Sequence, residues 1–348
     1  MIRFFTAGES HGPQLTAILE GMPAGLPISA DDINAQLARR QKGYGSGGRM
    51  QIEKDGVRIT AGVMNGVTTG GPIALIVENR DFKNWKERQI EPMTTPRPGH
   101  ADLTGAVKYG YRELRLSLER ASARETTMRV AVGAICRKFL TEFGVEIGGY
   151  VTQIGPIKVD LPDVVDHRAL YEAAENESTD VRCPDPEIAE QMRAEIRQVK
   201  IDKDTLGGIF EVFALNVPPG LGSHVHWDRK LDGRIVGAMT SIQAMKGAEI
   251  GAGFENATKR GSEVHDMIDR GDNGDLRRRT NRAGGLEGGI TTGDPVVARV
   301  AMKPISTMLR GADSVDLVTG EATATTYERS DFCAVPRAVP VGEAMLAI

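Results

Sequence analysis

Apolar and polar residues alternate over short runs separated by glycine-rich turns, and each run predicts a strand. Such runs lie at 3–6, 14–20, 50–54, 57–61 and 73–78. The cleanest alternation comes late, where Val296, Ala298, Val300 and Met302 interleave with Arg299 and Lys303. A helical period governs other stretches. Ser29 precedes two aspartates and an apolar pair, Ile33 and Leu37, four residues apart, with Gly43 beyond the predicted end. Ser122 and Glu125 are spaced as a capping box. After them Met128, Val132, Ile135, Phe139 and Phe143 recur at spacings of three and four, up to Gly144. Pro186 opens a very polar helix, to about Lys200, that reads as solvent-facing. The charged stretch 160–205 around it reads as a peripheral insertion. Intermixed periods with alternating strands predict an α+β fold on antiparallel sheets rather than a doubly wound parallel sheet.

Two segments recur. Residues 66–77, GVTTGGPIALIV, share six of twelve positions with residues 289–300, GITTGDPVVARV. Upstream of each, Met22-Pro-Ala-Gly-Leu26 resembles Val217-Pro-Pro-Gly-Leu221. Two matches in the same order predict an internal duplication, with halves at about 1–150 and 205–348, although TTG-x-P is also a common strand-entry turn.

Composition narrows the function. The 348 residues include 41 glycines, near 12 %, against about 7 % on average, which points to tight turns and close backbone approaches. A net charge of −4 excludes a generally basic nucleic-acid binder. No stretch approaches the ~18 apolar residues of a membrane span, and the N-terminal MIRFFTAGESHG has no signal-peptide run. The three scattered cysteines make no disulfide framework, so reduced thiols and a cytoplasmic location are expected. No metal site is expected: His224 and His226 have no third ligand at a suitable spacing. P-loop, GxGxxG, HExxH and GxSxG signatures are absent. Four segments instead gather polar residues among small ones. They are Gly8-Glu-Ser-His-Gly12; Pro96-Arg-Pro-Gly-His100 with Asp102; Glu119-Arg-Ala-Ser-Ala-Arg-Glu125; and Arg329-Ser-Asp331. His11 and His100 are suited to proton exchange, though a histidine in a turn is equally a structural residue. The third segment places a helix N-terminus between Arg120 and Arg124, an anion-binding arrangement that a plain capped helix explains as well. Arg39, Arg40 and Arg49 gather around the loop at 43–48. In an acidic chain such a cluster suits one phosphorylated, carboxylated small molecule.

Long strings carry a resemblance over essentially the whole chain: TAGESHGPQLTAILEGMPAG at 6–25, RPGHADLTGAVKYG at 97–110, LERASARETTMRVAVGA at 118–134, SIQAMKGAEIGAGFE at 241–255, NRAGGLEGGITTGDP at 281–295, KPIST at 303–307 and RSDFCAVP at 329–336. They are similar to the chorismate synthase family. The resemblance implies one domain over 1–348, a β-α-β sandwich with a central helical layer between two antiparallel sheets in two similar halves, and a homotetramer. It implies anti-1,4-elimination of phosphate from C3 and hydrogen from C6 of 5-enolpyruvylshikimate 3-phosphate, giving chorismate. Reduced FMN is required without net redox change, as flavoprotein chemistry with FAD and NADP as associated redox cofactors. By the same resemblance, His11 protonates the reduced flavin, His100 gives a proton to the leaving phosphate, and Asp331 assists deprotonation at C6. Arg40, Arg49, Arg97, Arg124 and Arg329 line the substrate and flavin-phosphate pocket. Flavin contacts map to Arg120, Ala121, Ser122, Gln243, Ala244, Gly288, Lys303, Pro304, Ile305, Ser306 and Thr307, with Arg329 in both sets. The reductant is either NADPH or a separate flavin reductase. Two departures stand out. Ser46 occupies a substrate or NADP position where many relatives carry arginine, and relatives usually continue beyond the helical stretch 341–348, so further C-terminal residues are expected. The competing reading is an NADPH-dependent flavin reductase, which leaves the arginine cluster and the pairing of Arg97 with His100 unexplained.

Overall fold

A computed structural model describes residues 2–46, 53–87, 92–162, 164–176, 180–271, 274–328 and 330–348. The first half supplies strands β1 (Arg3–Ala7), β2 (Gln14–Glu20), β3 (Val57–Ala61), β4 (Val63–Met64), β5 (Val67–Thr68) and β6 (Ile73–Glu78). Four of them form an antiparallel sheet in the order β1-β2-β6-β3, with Leu15 opposite Val77 and Leu19 opposite Ile73. Alternation sorts the faces: Leu15, Ala17, Leu19, Ile73, Leu75 and Val77 are buried, while Phe5 and Ile18 stay exposed. Of the run predicted at 50–54, residues 50–52 lie outside the described residues, and Glu53 and Lys54 are not in a strand.

A second antiparallel sheet follows from β7 (Glu146–Ile154), β8 (Ile157–Lys158), β9 (Gly208–Leu215), β10 (Met245–Ile250) and, beyond the hairpins β11 (Ile268–Arg270)/β12 (Leu276–Arg278) and β13 (Leu286–Glu287)/β14 (Ile290–Thr291), β15 (Val296–Met302). Its order is β10-β15-β9-β7-β8. The longer helices are α1 (Ala30–Gln41), α2 (Asp102–Tyr109), α3 (Arg115–Ala121), α4 (Thr126–Thr141), α5 (His167–Ala174), α6 (Pro186–Ile201), α7 (Leu231–Thr240) and α8 (Val335–Ala347). Helices α1 and α4 pack against the first sheet, α8 against β7 and β9 of the second, and α8 lies on both α4 and α1. No helix among the described residues is long and apolar enough to cross a membrane.

Local chemistry explains these elements. Ser29 and Asp32 make a reciprocal capping box at the start of α1. The box expected at Ser122 is only half made. Ser122 Oγ accepts from Arg124 N–H, but the Glu125 carboxylate turns to Thr6, Arg129 and Gln243. Helix α4 ends at Thr141, so the apolar stripe stops short and Phe143 is exposed. Helix α8 is buried along 335–345, as a helix apolar nearly all round must be, and its one carboxylate, Glu343, is paired with Arg39 and Arg137. Gly133 in α4 sits against Ala344 of α8, where a Cβ would come within 2.4 Å of the Ala344 Cβ. That close approach accounts for a residue that costs a helix interior about 1 kcal/mol. Helix α6 begins at the expected proline, but its face is not wholly turned to solvent: Ala189, Met192 and Ile196 join the main core.

The recurring segments adopt the same hydrogen-bonded corner twice. In the first, Gly25 N–H donates to Thr68 O (2.8 Å), Thr68 N–H to Leu26 O (2.9 Å) and Leu26 N–H to Thr68 Oγ1 (3.0 Å). Thr68 Oγ1–H donates to Pro23 O at 2.6 Å. In the second, Gly220, Leu221, Thr291 and Pro218 make the same four bonds at 2.9, 2.9, 2.9 and 2.7 Å. Thr69 N–H reaches Gly62 O and Thr292 N–H reaches Gly285 O, both at 3.0 Å.

Candidate active site

Where the ends of α1, α3 and α8 meet the 97–101 turn and the segment after β15, a cavity of about 480 Å³ opens, within the usual range of small-molecule sites. His11, Arg40, Arg97, His100, Ala121, Ser122, Arg124, Gln243, Ala244, Lys303, Ile305, Ser306, Thr307 and Asp331 all line it. Residues scattered from the N-terminus to α8 are thus brought to one wall.

His100 is the most firmly held. Its Nδ1 lies 2.5 Å from Asp102 Oδ1 and 3.0 Å from Arg97 Nη2. Asp102 is fully buried and receives Arg97 N–H, Nε–H and Nη2–H at 3.1, 2.8 and 3.0 Å. Burial alone would raise the Asp102 carboxyl, but hydrogen bonds from His100 and Arg97 hold it well below the ordinary carboxylate range. Against an ionised Asp102, Nδ1 carries the hydrogen, so its neighbour Arg97 Nη2 is not a donor to it and Nε2 is the nitrogen left for a ligand. Arg97 also donates to Thr307 Oγ1 at 3.0 Å. Gly99, at φ +77°, bends this turn so that its carbonyl accepts from Lys303 Nζ at 2.9 Å.

His11 has a parallel support. Its Nδ1 lies 2.8 Å from Glu119 Oε1, and its main-chain N–H donates to Oε2 at 2.7 Å. The ring packs tilted against Trp85, with centroids 4.0 Å apart and planes at 32°. Burial pushes the Glu119 carboxyl up, but the bonds from His11 bring it below its ordinary value.

The arginines supply anion binding. Arg40 and Arg124 are each about 5 % exposed. Arg40 donates to Thr126 and Ala123, and Arg124 to Asn79, Asp55 and Thr127. Each keeps one buried guanidinium nitrogen, Arg40 Nη1 and Arg124 Nη2, without a hydrogen bond; the nearest carboxylate oxygen is 3.7 Å away in both cases. Desolvation, then repulsion from Arg337 and Arg124, pushes the Arg40 guanidinium down to about 9 despite Asp55 nearby. An anion bound in the cavity would offset the repulsion among these cations. Asp331 Oδ2 accepts from Arg337 Nη1 at 2.5 Å. Gln243 donates to Glu125 at 3.0 Å while its Oε1 is buried without a hydrogen bond, and Ala244 is held at φ +69°, off the usual range for a side-chain-bearing residue.

Other expected residues lie elsewhere. Arg120 turns its guanidinium to Thr6 O and Oγ1, at 2.9 and 2.8 Å, and is not in the cavity lining. Gly288 sits in the β13–β14 turn beside His224, and Pro304 does not face the cavity. Ser46 donates to Gly43 O at 2.6 Å and lines a second cavity. Arg39 points there too, while Arg40, one residue on along α1, faces the site. Arg49 and Arg329 lie outside the described residues. Sequence reasoning passed over Trp85, Arg337 and the role of Glu119. A charged residue inside the apolar C-terminal run was the available signal for Arg337; nothing local marks Trp85.

Comparison with known proteins is consistent along the whole chain. The chorismate synthase family model matches residues 2–348. A chorismate synthase of Aquifex aeolicus is 55 % identical over 361 aligned positions, covering 100 % of this chain and 91 % of the relative. One from Geobacillus kaustophilus is 54 % identical, covering 99 % and 92 %. A solved chorismate synthase crystal structure superposes with a TM-score of 0.81 at 48 % identity, covering 99 % of this chain and 89 % of that one. On this evidence the chain belongs to the chorismate synthase family, and it is a lyase.

Proposed function

We propose that the 480 Å³ cavity converts 5-enolpyruvylshikimate 3-phosphate to chorismate by anti-1,4-elimination of the C3 phosphate and the C6 hydrogen, with reduced FMN and no net redox change. The observation that carries this reading is the convergence of three buried arginines, Arg40, Arg97 and Arg124, on one cavity with two carboxylate-supported histidines. Such donors fit a substrate with one phosphate and two carboxylates.

Reduced FMN fits the remaining wall. Leu118, Ala121, Met302 and Ile305 give a flat ring apolar surface, and Lys303, Ser306 and Thr307 offer donors to a phosphate. Held there, reduced flavin would supply the transient electron that the elimination needs, with no net redox change. Arg40, Arg97 and Arg124 orient the substrate and stabilise the charge of the departing phosphate. His100, positioned by Asp102, presents Nε2 to donate a proton to that phosphate. His11, held by Glu119 and Trp85, keeps a proton at the flavin ring, and Asp331 assists deprotonation at C6. We further read the two sheets and the helices between them as a β-α-β sandwich of two duplicated halves, supported by the twin threonine corners, and the working protein as a cytoplasmic homotetramer. Reduced flavin is supplied either by NADPH acting on this chain or by a separate reductase.

The test is anaerobic. The protein is mixed with substrate and chemically reduced FMN, with parallel runs using oxidised FMN and NADPH plus FMN. Equal chorismate and phosphate with reduced FMN, and none with oxidised FMN alone, is the expected result. Product in the NADPH run adds an intrinsic reductase. NADPH consumption matched to flavin reduction, with no chorismate in any run, identifies a flavin reductase instead and overturns the proposal.

A further inference from the structure

The three buried arginines of the candidate active site are backed by different groups. Arg97 is held by Asp102, and Arg40 donates to neutral oxygens of Thr126 and Ala123. One carboxylate, Asp55, serves both Arg40 and Arg124. Its two oxygens accept from Arg124 Nη1 at 2.7 and 2.9 Å, and Oδ2 lies 3.7 Å from Arg40 Nη1. The Asp55 side chain is fully buried and does not line the cavity, whereas both guanidiniums do. Its charge therefore reaches a ligand only past them. Glu53, two residues earlier, is engaged by main chain: it accepts from Arg80 and Asp81 N–H at 3.0 and 3.4 Å, and stands 3.7 Å from Arg124 Nη2.

The placement of Asp55 is set by the helix that carries Arg40. Gln41, the last residue of α1, grips the 53–55 segment with both ends of its amide. Its Nε2 donates to Glu53 O at 3.0 Å, and its Oε1 accepts from Asp55 N–H at 3.1 Å. Arg124 is tied on its other edge by Asn79 Oδ1 at 2.9 Å, and Asn79 Nδ2 donates in turn to Gly12 O at 2.8 Å, just after His11. The acid is thus part of the wall. Burial, then repulsion from Arg337, lowers the Arg40 guanidinium, and Asp55 opposes both.

We propose that Asp55 is a positioning residue that also weakens the hold of Arg40 and Arg124 on anions, so that the site lets go of the phosphate it forms. A fixed negative charge behind two guanidiniums stabilises them when the cavity is empty and repels an anion in front of them. One carboxylate thereby supplies both geometry and restraint: its oxygens orient Arg124, and its charge subtracts from the pull of both arginines. The consequence for product release rests on the reaction proposed above; the consequence for affinity does not.

Asp55→Asn keeps an acceptor for Arg124 and removes the charge. Calorimetric titration of the full chain with inorganic phosphate should show at least fivefold tighter binding in the variant, and phosphate should raise its melting temperature more than that of the parent. The gain should shrink when Asp55→Asn/Arg124→Gln is compared with Arg124→Gln. In anaerobic turnover with reduced FMN, KM for the anionic substrate should fall in Asp55→Asn. A residue that merely supported the fold would weaken phosphate binding and raise KM. Phosphate bound no tighter, a KM unchanged or raised, a gain of undiminished size without Arg124, or a variant that stays unfolded even in phosphate overturns the proposal. Absence of chorismate from the parent sinks the reaction reading alone, and the phosphate titrations then decide this one.

Discussion

The two histidines of the candidate active site have the same first neighbour, a carboxylate at Nδ1, but are supported differently beyond it. Asp102, behind His100, is fully buried and is itself gripped by three N–H groups of Arg97. His100 is therefore the end of a chain of dependence: Arg97 fixes Asp102, and Asp102 fixes the ring. Glu119, behind His11, is partly exposed, and its nearest cation, Arg115, is 3.8 Å away. His11 makes up the difference with a tilted ring contact to Trp85 and a main-chain bond to the same carboxylate. One ring is positioned in series and the other in parallel. A break in the first chain should propagate to the ring, whereas the loss of one support of the second should leave the other acting.

The largest expected effects come from the rings themselves. His100→Ala and His11→Ala should each lower kcat by about 10²–10⁴-fold, the usual worth of a positioned acid or base, with folding and flavin binding kept. Initial rates of anaerobic chorismate formation check this. Either variant within tenfold of the parent removes that histidine from proton transfer. Next, Asp102→Ala leaves a buried guanidinium without its carboxylate and should destabilise the fold by about 3–5 kcal/mol in denaturant unfolding. Glu119→Ala should cost clearly less, because Arg115 is not buried against it alone. Equal losses in the two variants would erase the distinction between series and parallel support.

The twin threonine corners give a smaller test and show how far a linear pattern reaches. Thr68 and Thr291 are both buried, and each hydroxyl bridges a carbonyl and an N–H within its own corner. Thr68→Val and Thr291→Val should each cost about 1–3 kcal/mol, by leaving those groups unpaired; a clear inequality would argue that the corners are not structural equivalents. This repeat was legible because both partners lie in short recurring strings. The main strands of the first sheet, β15 and α1 were legible for the same reason, since period and caps are local, whereas no run had pointed to β7, β9 or β10. The partners of the site were not. Glu119 is 108 residues from His11, and Thr307 is 210 from Arg97. Glu125 has the right spacing for a capping box, yet Thr6 and Gln243, brought near by the fold, win its carboxylate. Arg39 and Arg40 look alike in sequence, but the turn of α1 sends one to each cavity. Tertiary geometry decides among chemically equal local candidates.

The smallest expected effect sharpens the comparison through acid. Both carboxyls are lowered on folding, Asp102 further than Glu119. A group whose folded pKa lies below its unfolded value contributes stability above the unfolded pKa and loses it as the pH falls through the folded one. The contribution of Glu119 is therefore intact above its ordinary value of 4.5 and declines below it. That of Asp102 persists to more acid pH, because Arg97 and His100 keep competing with the proton. Denaturant midpoints of the parent and Glu119→Gln, followed from about pH 7 to pH 3, should converge as the pH drops. Those of the parent and Asp102→Asn should stay apart over the same range. On acidification the parallel support at His11 should loosen first, and a histidine-selective exchange probe should register faster exchange there before His100. The reverse order would mean that Arg97 does not protect Asp102, and that the two pairs differ in burial alone.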